Sequence, residues 1–250
     1  MQIETKTISC RELKDYTNSK RITPFSVIKY TLNYQSDIED KKFIDQIILE
    51  GQNLANAVHG GAANNAAYIR PLGRRLANGV AGVLAEHLWK KFINNDNGKI
   101  IVDFTLYAGA ANQIDLITDK KKKKIEVRSS FPRNGIQFAV CHASYQFDII
   151  GPYNNDYKIG EIEKDFYTRT LYHLQSYNDF MPNLTQDGFE VFLTGGATWE
   201  MMLDNKISLI KDFIPEDEML NRSSEFRVVP FSNALDSIEI KNLIIQSDNE

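Results

Sequence analysis

Hydrophobic residues recur along this chain at two different periods, and the periods separate predicted helices from predicted strands. They follow helical spacing over residues 37–58, and again after Pro71, a residue that suits the first turn of a helix. Segments 99–107, 113–118 and 124–128 are rich in β-branched and aromatic residues, which is typical of strands. The pattern therefore predicts two helices followed by three consecutive strands.

The second half of the chain continues with mixed elements. Residues 161–175 have an amphipathic pattern that predicts a helix, and residues 189–194 and 226–230 have the composition of strands. Between them, the glycines at the start of 195–198 predict a tight turn from strand to helix, with the helix over 199–203. The type of the segment 136–150 is left open.

This order of elements predicts an α/β or α+β fold, in which a central mixed sheet is flanked by helices. Strands 113–118 and 124–128 are separated by a short charged turn, so we expect them to form a hairpin. We expect three regions within what could be a single domain: a helical or arm region (1–72), which opens with a short strand or extended arm, a core (73–200), and a C-terminal segment packed on that core (201–250).

Composition narrows the class of protein only slightly. Apolar residues make up 42% of the chain and charged residues 25%, as in ordinary globular proteins. No apolar run reaches the length of about 18 residues that would predict a membrane span. The N-terminus lacks the apolar region of a secretory signal. Cys10 and Cys141 show no disulfide framework, so a reducing cytoplasm is the simplest expectation. The net charge of −4 does not exclude nucleic acid, because binding depends on a local basic patch.

The predicted hairpin carries the most informative set of charged residues. Strand alternation places Glu126 and Arg128 on one face, and Asp115 lies on the partner strand. Two carboxylates on neighbouring strands repel each other, and a hard cation such as Mg²⁺ relieves that repulsion. The alternative is a charged hairpin without chemistry, since an Asp followed later by Glu-x-Arg also arises by chance.

The hairpin resembles the PD-(D/E)XK motif of restriction-endonuclease-like nucleases, with Ile114 in place of the proline and Arg128 in place of the lysine. The resemblance covers roughly residues 73–150. It implies phosphodiester hydrolysis with Mg²⁺ held by Asp115, Glu126 and the Val127 carbonyl, and Glu86 matches the acidic residue of the preceding helix. Arg128 can offer positive charge but cannot act as a base. The site could therefore have an altered rate, use a lysine from elsewhere such as Lys124, or be inactive.

Basic residues other than Arg128 are candidates for contacts with the DNA backbone. Three are clustered where a helix is expected to begin, and four lie in or after the hairpin turn; an exposed, solvated surface is the alternative for both sets. These residues are Arg70, Arg74 and Arg75, and Lys122, Lys123, Lys124 and Arg133.

The function expected from the resemblance is a Mg²⁺-dependent endodeoxyribonuclease similar to type II restriction enzymes. It would act on double-stranded DNA, with a homodimer presenting two sites to two strands. One alternative is a catalytically inactive protein that uses the fold to bind nucleic acid or a protein partner. Another is a nuclease of a defence system directed at RNA or nucleotides.

Overall fold

Two sheets and six helices make up the described part of the computed structural model, which comprises residues 1–10, 24–57, 70–94, 99–105, 113–142, 148–154, 161–213 and 224–250. The strands are β1 (Gln2–Ile8), β2 (Phe25–Asn33), β3 (Val102–Phe104), β4 (Leu116–Thr118), β5 (Lys124–Ser130), β6 (Ile149–Asn154), β7 (Phe166–Leu171), β8 (Asp187–Thr198), β9 (Leu209–Phe213) and β10 (Ser224–Val229). The helices are α1 (Ile38–Ala57), α2 (Leu72–Asn94), α3 (Ile136–Cys141), α4 (Phe180–Leu184), α5 (Trp199–Leu203) and α6 (Ser237–Asn249).

Seven strands form one mixed sheet in the order β1-β2-β8-β7-β5-β4-β3, in which β5 and β7 are parallel and the other neighbouring pairs are antiparallel. A smaller antiparallel sheet has the order β6-β10-β9. The expected fold class, a central mixed sheet flanked by helices, is confirmed. The first two strands, from the segment expected to be a short strand or arm, form one edge of this same sheet.

The two faces of the large sheet bury different partners. On one face, Ile125 and Val127 of β5 pack in a core with α1, α2 and α6. On the other, Tyr167 and Leu171 of β7 pack with α3 and with Ile149 and Val229 of the smaller sheet. Since successive side chains of a strand point to opposite faces, Glu126 and Arg128 lie on the side of the smaller sheet.

The prediction of a helix over residues 161–175 is wrong, because this segment contains β7. Its six residues are all buried, and β7 lies between β5 and β8 in the interior of the sheet. A strand covered on both faces loses the simple alternation of polar and apolar residues. The tertiary environment, rather than the local pattern, decides the structure here.

The expected strand-to-helix turn at 195–198 is also wrong, since β8 continues through Thr198 before α5 begins. Gly195 has φ of 88°, and the pairing of β7 with β8 shifts register between Thr168 and Thr170. A β-bulge therefore takes up the irregularity within the strand. A Cβ at Gly195 would stand 2.2 Å from the carbonyl oxygen of Leu235, so a larger residue has no room there.

Cys10 and Cys141 form a disulfide, which corrects the expectation that the cysteines are unpaired. Both side chains are buried between the end of β1 and α3. Their 131-residue separation in sequence contains no information about this proximity. The pairing removes the argument from cysteine usage for a reducing compartment.

No helix in the described residues combines the length and the apolar character needed to cross a membrane.

Close contact between α1 and α2 depends on Gly51, and this gives a test of the packing. A Cβ at Gly51 would lie 2.6 Å from the Cα of Val80, whereas a Cβ at Gly82 of α2 would meet nothing within 4 Å. Gly51→Ala should lower the free energy of unfolding by roughly 1–3 kcal/mol because the helices must separate. Gly82→Ala should raise it by roughly 0.5–1 kcal/mol, as expected for a helix interior. Denaturant unfolding measures both, and equal effects would contradict the packing described.

Candidate active site

Asp115 and Glu126 come from neighbouring strands at the centre of the candidate site. Leu116 pairs with Ile125 in the β4–β5 hairpin, so the next position of the register sets Asp115 across from Glu126. The antiparallel hairpin expected from the sequence is confirmed. Both carboxylates are buried, and the Asp115 Oδ2 accepts a hydrogen bond of 2.7 Å from the Val127 backbone N–H. The hairpin thus holds the two acidic residues at one place.

The Val127 carbonyl points to the same edge of β5 as the Val127 N–H, since both groups of a strand residue face one neighbour. That edge is the one where Asp115 lies. The carbonyl of the preceding residue, Glu126, faces the opposite edge, where it accepts a 3.0 Å hydrogen bond from the Thr168 hydroxyl. The backbone direction therefore agrees with Val127 as an oxygen donor beside Asp115.

Four charged side chains form a closed network around Glu126. Its Oε1 lies 2.8 Å from Arg128 Nη2, and its Oε2 lies 2.9 Å from Lys164 Nζ. Glu161 Oε1 lies 2.8 Å from the same Arg128 nitrogen and 3.0 Å from the same Lys164 nitrogen. The two cations alternate with the two carboxylates, and each cation contacts both.

Lys164 is a candidate site residue that the sequence analysis missed. It precedes β7, and the parallel pairing of β7 with β5 brings it to Glu126. The next residue, Asp165, fixes this segment against β5, because its Oδ2 accepts a hydrogen bond of 2.8 Å from the Lys124 backbone N–H. Lys164, and not Lys124, is the lysine that contacts Glu126, with 2.9 Å between its Nζ and Glu126 Oε2. The signal, Glu161-Ile-Glu-Lys164, was hidden by its interpretation as the start of a helix.

Arg128 is held rigidly as a cation. Its guanidinium lies 5.1 Å from the centre of the Tyr153 ring, and the Tyr153 backbone N–H donates to Glu161 Oε2 at 3.1 Å. Burial would lower the pKa of Arg128, but attraction to Glu126 and Glu161 outweighs burial and raises the pKa above its ordinary value. Arg128 therefore supplies permanent positive charge and no proton acceptor.

Burial and mutual repulsion disturb the protonation of two further carboxylates. Burial, followed by repulsion from Glu126, raises the pKa of Asp115 to about 7. Burial raises the pKa of Glu86 on α2 well above its ordinary value, with added repulsion from Asp115, Glu126 and Glu50. Glu86 therefore lies within electrostatic range of the pair, as the resemblance implies. Clusters of this kind are typical of functional sites.

The charges of this cluster do not balance among its own side chains. Glu86, Asp115, Glu126 and Glu161 supply four negative charges when ionised, while Arg128 and Lys164 supply two positive ones. Buried charge without compensation is costly, so the fully ionised cluster suits a divalent cation. Glu126 Oε2, although close to Lys164, is buried and accepts no hydrogen bond from the described residues. Charge, oxygen donors and this acceptor fit Mg²⁺ at Asp115, Glu126 and the Val127 carbonyl.

Geometry sets a limit on that fit. Among the described residues, no three His, Cys, Asp or Glu side chains converge closely enough to hold a metal ion as they stand. A cation there would be coordinated by two carboxylates, the carbonyl and water, which is the open arrangement that Mg²⁺ favours.

The three arginines near the start of α2 are engaged in packing. Arg70 is buried, and burial lowers its pKa to about 10. The Arg74 guanidinium lies 4.4 Å from the centre of the Tyr177 ring, and Arg75 Nη1 donates to the Ala55 carbonyl at 3.2 Å. The cluster is therefore not the plain exposed surface that was the alternative to a DNA contact, and Arg74 and Arg75 stay partly exposed.

The four remaining basic candidates lie nearer the surface. Lys122, in a left-handed turn conformation, and Arg133 are exposed, while Lys123 pairs with Asp165 at 3.0 Å and Lys124 is half-buried. The hairpin tip thus places two lysines at the surface at the end of the strands that carry Asp115 and Glu126.

Comparison with known proteins gives no function. No family model matches the chain, and no solved structure matches it. The chain is similar to an uncharacterized protein of Methanocaldococcus jannaschii, at 22% identity over 263 aligned positions that cover 91% of this chain and 90% of that protein. The similarity extends over almost the whole of both proteins and carries no information about chemistry.

The raised pKa of Asp115 predicts how stability depends on pH without metal. The folded state binds the Asp115 proton more tightly than the unfolded state, so this contribution to stability is complete below about pH 4 and is lost as pH rises through about 7. Asp115→Asn removes the ionisable group, so the variant does not lose this stability at high pH. Its melting temperature in EDTA should exceed that of the unmodified protein by roughly 2–4 °C or more at pH 8, and by little at pH 4. The matched control is Asp119→Asn in the exposed turn, which should shift neither value. A gain of the same size at both pH values would contradict the account.

Proposed function

We propose that this protein is a Mg²⁺-dependent endodeoxyribonuclease in which Asp115, Glu126 and Lys164 form the reaction centre. The observation that carries the proposal is the ammonium of Lys164, 2.9 Å from Glu126 in a buried cluster with an excess of carboxylates. The sequence offers Arg128 where the nuclease motif has lysine. Lys164, from the neighbouring parallel strand, provides the missing group.

Each side chain has a definite part in such a reaction. Bound Mg²⁺ would polarise the phosphoryl oxygen and lower the pKa of a water molecule. Asp115 and Glu126 bind and orient, and Lys164 positions the attacking water and offsets charge that develops on the phosphate. Arg128 makes its two short contacts with carboxylates, so its main part is to hold Glu126 and Glu161 in place.

The substrate, the oligomeric state and the location in the proposal rest on the resemblance rather than on the geometry of the site. Double-stranded DNA as substrate, a homodimer with one site for each strand and a role in a restriction system follow from the resemblance of the hairpin. A cytoplasmic location is part of the proposal because a restriction system acts on DNA inside the cell. The exposed lysines at the hairpin tip are suitable contacts for the phosphate backbone, since they adjoin the strands of the site.

One observation favours the alternative, a catalytically inactive protein that binds nucleic acid or a protein partner. Both oxygens of Glu126 already lie within 3 Å of a cationic nitrogen, so the network can serve as a buried structural cluster. In that case added Mg²⁺ would find no site. Cleavage assays distinguish the two functions.

The decisive variant is Lys164→Met, which keeps the length of the side chain and removes its charge. Single-turnover cleavage of plasmid DNA with Mg²⁺ should fall about 10²-fold or more, as when one stabilising charge is lost from a transition state. Asp115→Asn should abolish cleavage, and both variants should retain DNA binding in a filter or gel assay.

Lys29→Met is the matched control for the loss of a lysine between carboxylates. Lys29 lies 3.0 Å from both Glu4 and Glu190 at the edge of the sheet, outside the site. This variant should cleave at the unmodified rate. Full activity in folded Lys164→Met protein would remove Lys164 from the mechanism, and absence of cleavage in the unmodified protein would favour the inactive alternative.

A further inference from the structure

A cleft of about 290 Å³ shares a wall with the reaction centre. Its lining comes from the smaller sheet, the segment before β7 and the start of α5: Pro152, Tyr153, Glu161, Trp199, Ile210, Glu225 and Arg227. The shared wall is Glu161, whose Oε1 contacts both Arg128 and Lys164. A group held in this cleft would therefore lie beside the charged network.

The walls of the cleft combine a flat aromatic face with charged groups. Trp199 is half-buried: it packs against the core, with its ring 6.3 Å from that of Tyr167, and also lines the cleft. Tyr153, the other aromatic residue of the lining, lies between Phe226, stacked at 4.9 Å, and the Arg128 guanidinium. Arg227 is fixed by hydrogen bonds from Nη1 to the Met202 carbonyl at 2.8 Å and to the Ser208 hydroxyl at 3.3 Å.

Charge selects the class of ligand. Glu161 and Glu225 would repel a phosphate, whereas a carboxylate accepts hydrogen bonds from a neutral donor. The volume lies at the lower end of the range for small-molecule sites, so it suits one planar ring system rather than a whole cofactor. Stacking of bases on aromatic side chains is the common way to hold a single-stranded nucleotide.

We propose that this cleft binds one nucleobase that is flipped out of the duplex next to the scissile phosphate, with guanine as the preferred base. The base stacks on Trp199, and the N1–H and amino group of guanine donate to the carboxylate of Glu225. This inference rests on the proposed nuclease function for the identity of the substrate, but the base site itself can be tested without cleavage.

The first test is titration with dGMP, dAMP, dCMP and dTMP, followed by tryptophan fluorescence. The chain has two tryptophans, and Trp89 is fully buried in the core, so quenching reports on Trp199. We expect quenching by dGMP at an at least tenfold lower concentration than by the other three. Quenching that is absent, or equal for all four and for deoxyribose 5-phosphate, would overturn the proposal.

Variants separate recognition of the base from general effects of charge. Glu225→Gln should abolish the preference for dGMP, because the amide of glutamine presents a donor as well as an acceptor. The matched control is Glu200→Gln, which removes an exposed carboxylate next to Trp199 that does not line the cleft. If both variants keep the preference, Glu225 does not read the base and the assignment fails.

The second test uses DNA with a single abasic site moved along a cleavable strand. Loss of the base that enters the cleft should raise KM about tenfold or more at one position, and Trp199→Leu should make the protein insensitive to that position. Binding of dGMP without any cleavage would sink the nuclease proposal and leave the base site standing. Cleavage that is unaffected by an abasic site at every position would overturn the base site and leave the nuclease proposal standing.

Discussion

Repulsion among four carboxylates gathered at one end of a β-hairpin is the constraint around which this structure is organised. Glu126 and Glu161 are stabilised by Arg128 and Lys164, which contact both of them at 2.8–3.0 Å. Asp115 and Glu86 form no ion pair of this kind with the described residues, and burial raises the pKa of both, with added repulsion from Glu126 on each of them. A protein built only for stability would gain by replacing such a cluster with apolar residues. The divalent cation proposed for this site would supply the remaining positive charge.

The architecture assigns different tasks to the two faces of the large sheet. The helical face, with α1, α2 and α6, packs as an apolar core and supports the strands from behind. The opposite face carries Glu126 and Arg128, and Tyr153 of the smaller sheet contacts Arg128 with its ring and Glu161, from the segment before β7, with its backbone N–H. Residues of both sheets therefore meet at the charged network, and the adjoining cleft is formed at the same junction.

The part of the site that is local in sequence could be predicted from the sequence. Asp115, Glu126 and Arg128 lie within one hairpin, whose turn and strand alternation are visible in the order of residues. Lys164 and Glu161 could not be found in this way, because they reach Glu126 only through the parallel pairing of β5 with β7. Their segment was assigned to a helix, since a fully buried strand lacks the alternation by which strands are recognised. The disulfide of Cys10 with Cys141 was missed because it joins residues that are distant in sequence.

The central claim is that Asp115 and Glu126 hold a divalent cation, and anomalous diffraction from crystals soaked in Mn²⁺ tests it most directly. Mn²⁺ takes the same oxygen ligands as Mg²⁺ and gives a signal that identifies the ion. The account predicts one strong anomalous peak within about 2.3 Å of a carboxylate oxygen of each residue. It also predicts that the peak is lost in Asp115→Asn crystals. A peak elsewhere only, or none at millimolar Mn²⁺ with Glu126 still paired to Arg128 and Lys164, would contradict it and leave the cluster as a structural network.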